Sequence, residues 1–400
     1  MSGVTERLYR DDPYLLEFDA RVLERLSHEG RPALVLDRTA FYAESGGQPW
    51  DTGTLGEARV SAVVESGGRI LHVLDSPVAG DLVHGVVDAP RRRDHRQQHH
   101  GQHLLSRAFV TVASARTVSF HLGAESVSID LDREVGEDHL ASAEALANRV
   151  VWEARPVKVR DVARSEAVAL GVEVPDEAGD SVRLVEAEGF DLQPCGGTHP
   201  RNTAEVGVVM LLGAEKHKGG SRVRFVCGER ALGAMRLRNR TLDRLGALLS
   251  APLPGMEAAL ARTLEQLADG RRQIEALQAR AIEAEASALA ESAAGEPPTV
   301  LRVYEGWSAD DLRSLAIALV GRRRCLALLG SRAGKACLVV AQTPGLGCDV
   351  PGLARAALAL VGGRGGGRGD LAQGAGERVE ALEAALEAAR AAAASPRAVP

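Results

Sequence analysis

Short apolar runs separated by Gly, Asp and Pro occupy residues 1 to about 90. Ala33-Leu34-Val35-Leu36, Val60-Ser61-Ala62-Val63-Val64 and Ile70-Leu71-His72-Val73-Leu74 have the length and spacing of strands joined by turns. Strands this short and close together pack naturally as a small β-barrel. Pro90 marks a boundary, and the pattern beyond it turns helical. Asp94 is placed to N-cap a helix, with Gln97 three residues on, as in a capping box. That helix carries His99, His103, Leu104, Leu105, Ala108 and Phe109. A second helix is expected over Glu137–Trp152. Residues 183–230 return to strands, around a turn at Cys195 and a basic hairpin from Lys216 to Arg224.

From 236 the texture changes. Leu260, Leu264, Leu267, Ile274 and Leu277 recur at helical spacing among Ala, Glu, Gln and Arg, after a break at Pro252 and Pro254. A long helix or helical hairpin fits, too irregular for a sustained coiled coil. Pro297-Pro298 ends it. Strands are expected at Val300–Tyr304, Cys325–Leu329 and Cys337–Ala341, and helices at Asp311–Val320, Leu353–Val361 and Glu377–Ala394. A Gly-rich loop spans Gly362–Asp370. The fold class is therefore α+β multidomain. Its segments are a barrel-like domain over 1–90, an α+β metal-binding core over 91–235, a helical linker over 236–296 and a compact α/β domain over 297–400.

Composition narrows the class. Four hundred residues are enough for two to four cores. A net charge of −6 provides no global field for nucleic acid, so RNA contacts would have to come from local basic patches. Five scattered cysteines argue against a disulfide framework and for a reducing compartment. No window approaches a membrane helix and no signal-peptide core opens the chain, so a soluble cytoplasmic protein without membrane contact is expected.

Two histidine motifs carry the chemistry. His99 and His103 are four apart and project from one helix face. Cys195 and His199 have the same spacing across Cys195-Gly196-Gly197-Thr198-His199. One thiolate and three imidazoles suit Zn²⁺. His95 and His99 form an alternative pair. His99–His103 is preferred, because His95 falls in the first turn beside Arg91–Arg93. His95 and His100 then read as exposed polar residues. Four protein ligands ordinarily close a structural site, whereas hydrolysis needs an open position, and the sequence does not choose between them. In the stretch Thr39 to Gly53, Gly46-Gly47 lets backbone approach a ligand, and Thr39 and Gln48 offer neutral hydrogen bonds. Arg364 and Arg368 in the Gly-rich loop, with Lys216, Lys218 and Arg222 in the hairpin, are the candidate phosphate contacts.

With these residues in hand, the chain resembles the alanyl-tRNA editing family, which comprises the editing half of alanyl-tRNA synthetase and the free-standing AlaX proteins. The Thr39–Gly53 segment is similar to its Gly-Gly-Gln signature, and the two histidine motifs to its zinc motifs. Residues 362–376 resemble the synthetase C-terminal domain, which points to the long AlaX form. The resemblance implies one Zn²⁺ per chain on His99, His103, Cys195 and His199. It implies a seryl-hydroxyl contact at Thr39 and an active-site amide at Gln48. It also implies a C-terminal domain that grips tRNA or joins two chains, through itself or the helical linker. His100 departs from the family, which more often has Thr or Ser there. No segment supplies an ATP-binding aminoacylation domain, so the expected reaction is hydrolysis of Ser-tRNA-Ala or Gly-tRNA-Ala, without charging. The alternatives are a non-catalytic tRNA-binding or assembly factor stapled by zinc, and a phosphodiesterase. The latter lacks its Asp-His-His metal cluster.

Overall fold

A computed structural model describes residues 5–174 and 179–394. The chain is mixed α and β, and divides into two compact units, residues 1–245 and 246–400.

In the first unit, β1 (Glu17–His28), β2 (Arg31–Leu36), β3 (Gly53–Leu55), β4 (Ala58–Ser66), β5 (Arg69–Leu74) and β6 (Leu82–Val87) close into a barrel. The order is β1-β2-β5-β4-β3-β6, antiparallel throughout. Closure leaves no free edge. Leu34, Leu36, Phe41, Leu55, Val63 and Leu74 fill the interior. The connection from β2 to β3 carries the Gly-Gly-Gln stretch, and its Ala40, Phe41, Tyr42 and Ala43 are fully enclosed. A buried connection must find partners for its backbone. Asp51 Oδ2 accepts the Tyr42 N–H at 2.7 Å. Arg92 donates to Ala40 O at 2.6 Å and to Pro13 O at 2.8 Å, and its Nε donates to Asp51 Oδ2 at 3.0 Å. This ion pair, with neither side chain exposed, pins the connection to the helix that follows.

That helix is α1 (Ala89–Ala113). Its N-cap is Asp88, whose side chain accepts the Arg91 N–H, rather than the expected Asp94. Pro90 sits inside the first turn instead of before it, because a missing N–H costs nothing there. Asp94 is instead bound bidentately by Arg230 at 2.7 and 2.6 Å. α1 and α2 (Glu137–Trp152) pack on a sheet built from β7 (Thr117–Leu122), β8 (Val127–Leu131), β12 (Val209–His217) and β13 (Gly220–Cys227), in the order β12-β13-β8-β7. A second sheet joins β9 (Val157–Ala163), β10 (Ser181–Ala187) and β11 (Asp191–Pro194). α3 (Gly228–Leu249) runs across the division between the units.

In the second unit, α4 (Met256–Ser292) leaves Leu260, Leu264, Leu267, Ile274 and Leu277 exposed. Five strands follow: β14 (Thr299–Glu305), β15 (Leu326–Arg332), β16 (Ala336–Gln342), β17 (Gly363–Arg368) and β18 (Leu371–Gly376), in the order β14-β15-β16-β18-β17. α5 (Ala309–Arg322) and the C-terminal end of α4 cover one face. α6 (Val350–Leu360) and α7 (Leu382–Ala394) cover the other. Strands buried on both faces read as unbroken apolar runs, as 325–329 does. The Gly-rich segment is not a loop but the edge strand β17, paired with β18. A Cβ on Gly365 would lie 2.8 Å from the Leu358 Cδ1 of α6, and one on its cross-strand partner Gly374 at 2.6 Å. The glycines let the hairpin lie flat beneath the helix.

Candidate metal centre and adjoining cleft

α1 places His99 and His103 one turn apart, and the turn after β11 brings up Cys195 and His199. Their four donor atoms lie within 4.8 Å of one another. His99 Nε2 is 3.3 Å and His199 Nε2 3.2 Å from the Cys195 sulfur. His95 does not join them. Arg183 of β10 fixes the cysteine turn by donating to Cys195 O at 2.8 Å and Gly197 O at 3.0 Å. Gly197 must lack a side chain, since its Cβ would fall 2.2 Å from His99 Cε1.

Two imidazoles of the quartet are held from behind, and a carboxylate lies near the third. Gln48 Oε1 accepts from His99 Nδ1 at 2.8 Å and from the Thr198 N–H at 3.0 Å, while Gln48 Nε2 donates to Thr198 Oγ1 at 2.9 Å. One amide thus binds the barrel connection to both motifs. Asp191 Oδ2 lies 3.6 Å from His103 Nδ1. His199 Nδ1 is 3.1 Å from His100 Nδ1. If His199 presents Nε2 to the centre, its Nδ1–H donates to His100, whose own proton then sits on Nε2, a buried atom without a protein partner.

Burial would raise the Cys195 thiol, but the surrounding imidazoles of His99, His199 and His103 hold it well below its ordinary value. Burial pushes His199 down to about 3 against the pull of Cys195. Burial also disfavours a charged His103, yet Cys195 and Asp191 outweigh it and hold the ring up at about 9. A ready thiolate among three imidazoles, two of them braced on the second nitrogen, is the donor set a borderline-soft cation takes. The residues present fit a metal ion.

His95 and His100 are both buried, contrary to their reading as exposed residues. α1 is enclosed on more sides than a helix with one apolar stripe, which its polar sequence hides. Thr39 is also fully buried. Its hydroxyl meets His72 Nε2 at 2.8 Å and the Phe41 N–H at 3.1 Å, and it does not line the cleft beside the quartet. That cleft, of about 590 Å³, is bounded by Gly46, Gly47, Phe120, Val118, Pro194 and Gly196, with His99, His103 and Cys195 in its wall. Gly47 adopts φ +79°, and a Cβ there would strike the Phe120 ring at 2.6 Å.

Of the basic candidates, Arg222 is bidentate to Asp130 at 2.6 and 2.8 Å, which cancels its charge toward a phosphate. Lys216 pairs with Glu134 at 2.9 Å at the surface. Lys218 sits at the hairpin turn with φ +46°. Arg364 and Arg368 are exposed on one side of β17.

Three family models match the chain. They describe the tRNA synthetases class II (A) over residues 14–91, the threonyl and alanyl tRNA synthetase second additional domain over 182–224, and the DHHA1 domain over 296–395. The alanyl-tRNA editing protein AlaX-L of Pyrococcus horikoshii is 31% identical over 393 residues, covering 94% of this chain and 95% of that one. The alanine–tRNA ligase of Thermococcus kodakarensis is 34% identical over 404 residues, and that of Pyrococcus furiosus 32% over 405. Each of these matches covers 96% of this chain but only 43% of the ligase.

Proposed function

Since this chain belongs to the alanyl-tRNA editing family, we propose that it hydrolyses the ester joining a wrong amino acid to tRNA-Ala, acting in trans and without aminoacylation activity. The observation that carries this reading is the position of the quartet: His99, His103 and Cys195 form part of the wall of a cleft large enough for an aminoacylated nucleoside. Ser-tRNA-Ala is the leading substrate and Gly-tRNA-Ala the second. The need for such an enzyme is energetic. One methyl or hydroxyl separates these amino acids from alanine, worth only ~1–3 kcal/mol in a pocket, so a second sieve must remove the errors.

His99, His103, Cys195 and His199 would hold one Zn²⁺, which would supply positive charge for orienting the substrate. The rest falls to the chain. Gly46 and Gly47 give the ester close access to backbone, and Phe120 walls the cleft beside them. Gln48 acts through His99 and Thr198, and Thr39 braces the Gly-Gly-Gln connection through His72. Phosphate contacts are assigned to Arg364, Arg368 and Lys218, so binding should weaken with salt. A second copy of the chain is the proposed occupant of the apolar stripe on α4.

The test is release of serine from Ser-tRNA-Ala by the zinc-loaded chain, abolished in His103→Ala and Cys195→Ala. Release at the spontaneous rate refutes the proposal. A complete set of four ligands also supports a second reading, a tRNA-binding factor in which the metal only staples the fold. It requires tRNA binding without deacylation, and unfolding of both variants.

A further inference from the structure

Five polar side chains other than the metal donors line the cleft: Gln102, Ser106, Thr117, Ser119 and Gln193. Two are committed to protein acids. Ser119 Oγ donates to Asp130 Oδ2 at 2.7 Å, and Gln193 Nε2 to Asp191 Oδ2 at 2.7 Å. The other three form a chain of their own. Gln102 Nε2 donates to Ser106 Oγ at 2.9 Å, and Ser106 Oγ meets Thr117 Oγ1 at 2.7 Å. Two hydroxyls carry two hydrogens, and the contact between them uses one. The second hydroxyl hydrogen and Gln102 Oε1 have no partner among the described residues. Gln102 lies one helical turn from His99 and Ser106 one turn from His103 on the same face of α1, so the unused donor and acceptor belong to the wall that carries the metal donors.

The hydroxyl at Thr39 is differently occupied. It accepts from the Phe41 N–H and meets His72 Nε2, while His72 Nδ1 meets Leu34 O at 3.1 Å. Burial pushes His72 down to about 4, so the ring is neutral, donates from Nδ1 and accepts at Nε2 from Thr39. Nothing on Thr39 is left to donate.

We propose that Gln102, Ser106 and Thr117 are the specificity-determining residues of this cleft, selecting an aminoacyl ester that bears a side-chain hydroxyl. This rests on the deacylase reading above and assigns the residues that would carry its preference for serine. A seryl hydroxyl is at once donor and acceptor, and matches the unused hydroxyl hydrogen and the unused Gln102 carbonyl of this chain of three. An alanyl methyl would displace water from both and satisfy neither. A glycyl ester leaves room for water to remain.

The test is single-turnover deacylation of Ser-tRNA-Ala and Gly-tRNA-Ala by the full chain. Ser106→Ala, Thr117→Val and Gln102→Leu should each lower the serine rate by about 10-fold or more, with the glycine rate within about 2-fold of wild type. Thr117→Ser, which keeps the hydroxyl, should keep the preference. Equal metal content and circular dichroism exclude misfolding as the cause. An active wild type whose serine-to-glycine ratio is unmoved by all three changes overturns this inference alone. A ratio that collapses only in Thr39→Val does the same. A wild type that releases neither amino acid overturns the deacylase reading, and this inference with it.

Discussion

Replacing Gln48 with alanine tests how the centre is built. The amide makes three buried contacts: it accepts from His99 Nδ1 and the Thr198 N–H, and donates to the Thr198 hydroxyl. Gln48→Ala leaves two enclosed N–H groups without an acceptor. At ~1–3 kcal/mol for each stranded donor, unfolding of the first unit should cost about 2–6 kcal/mol less. Metal affinity should fall separately, because His99 loses the acceptor that fixes its ring and tautomer. The loss of such a partner typically weakens binding about 10–100-fold. Gln48→Glu is the control, since its carboxylate still accepts from both donors and the Thr198 hydroxyl can turn to donate. Its affinity should stay within about 10-fold of wild type. Competition against a chromophoric zinc chelator reads the affinity, at a temperature where all three proteins keep their circular dichroism. Unchanged affinity in Gln48→Ala, or equal weakening in both variants, would refute a bracing role for this amide.

Three further outcomes follow from contacts elsewhere. Asp51→Ala strands the Arg92 guanidinium in a fully enclosed site, so urea denaturation should show a loss of ~3–5 kcal/mol; a loss below 1 kcal/mol would contradict the described packing. His72 is neutral when folded, with its affinity for a proton pushed down to about 4 by burial, while the unfolded ring takes one up near 6.5. Barrel stability is therefore full above pH 6.5 and falls as pH drops toward 4, by about 3 kcal/mol at ~1.4 kcal/mol per tenfold in proton affinity; His72→Gln should flatten that acid slope in denaturation curves. Light scattering should find the chain as a dimer, and Leu264→Arg with Leu267→Arg should convert it to monomer; a monomeric wild type removes the assignment of α4 to self-association.

What the sequence disclosed follows from period and spacing. His99 and His103 stand four apart, and Cys195 and His199 flank glycines, so local geometry alone aimed each pair in one direction. Glu137–Trp152 is helical over the expected residues, because its charged start and regular apolar positions agree. What stayed hidden depends on contacts distant in sequence. Asp94, with Gln97 three residues on, looks fit to cap α1, but Arg230 holds it and Asp88 takes the cap instead. Glycines of β17 look like a loop until Leu358 is found above Gly365. Arg92 is one of the run Arg91–Arg93 in the sequence, and only the fold shows Asp51 beside it. His100 reads as surface, yet it backs His199. The Gln102–Ser106–Thr117 chain joins a helix to a strand and has no signature in either segment.

The amide at position 48 has a further consequence for dissecting the protein. A truncation beginning at Pro90 would retain every donor atom of the quartet, and an inspection of ligands alone would call it competent. It would nevertheless have lost the group that orients His99, along with Asp51, the counterion of Arg92. The barrel is thus an integral wall of the centre rather than an appended module, and the smallest fragment of this chain that keeps the centre intact has to include it.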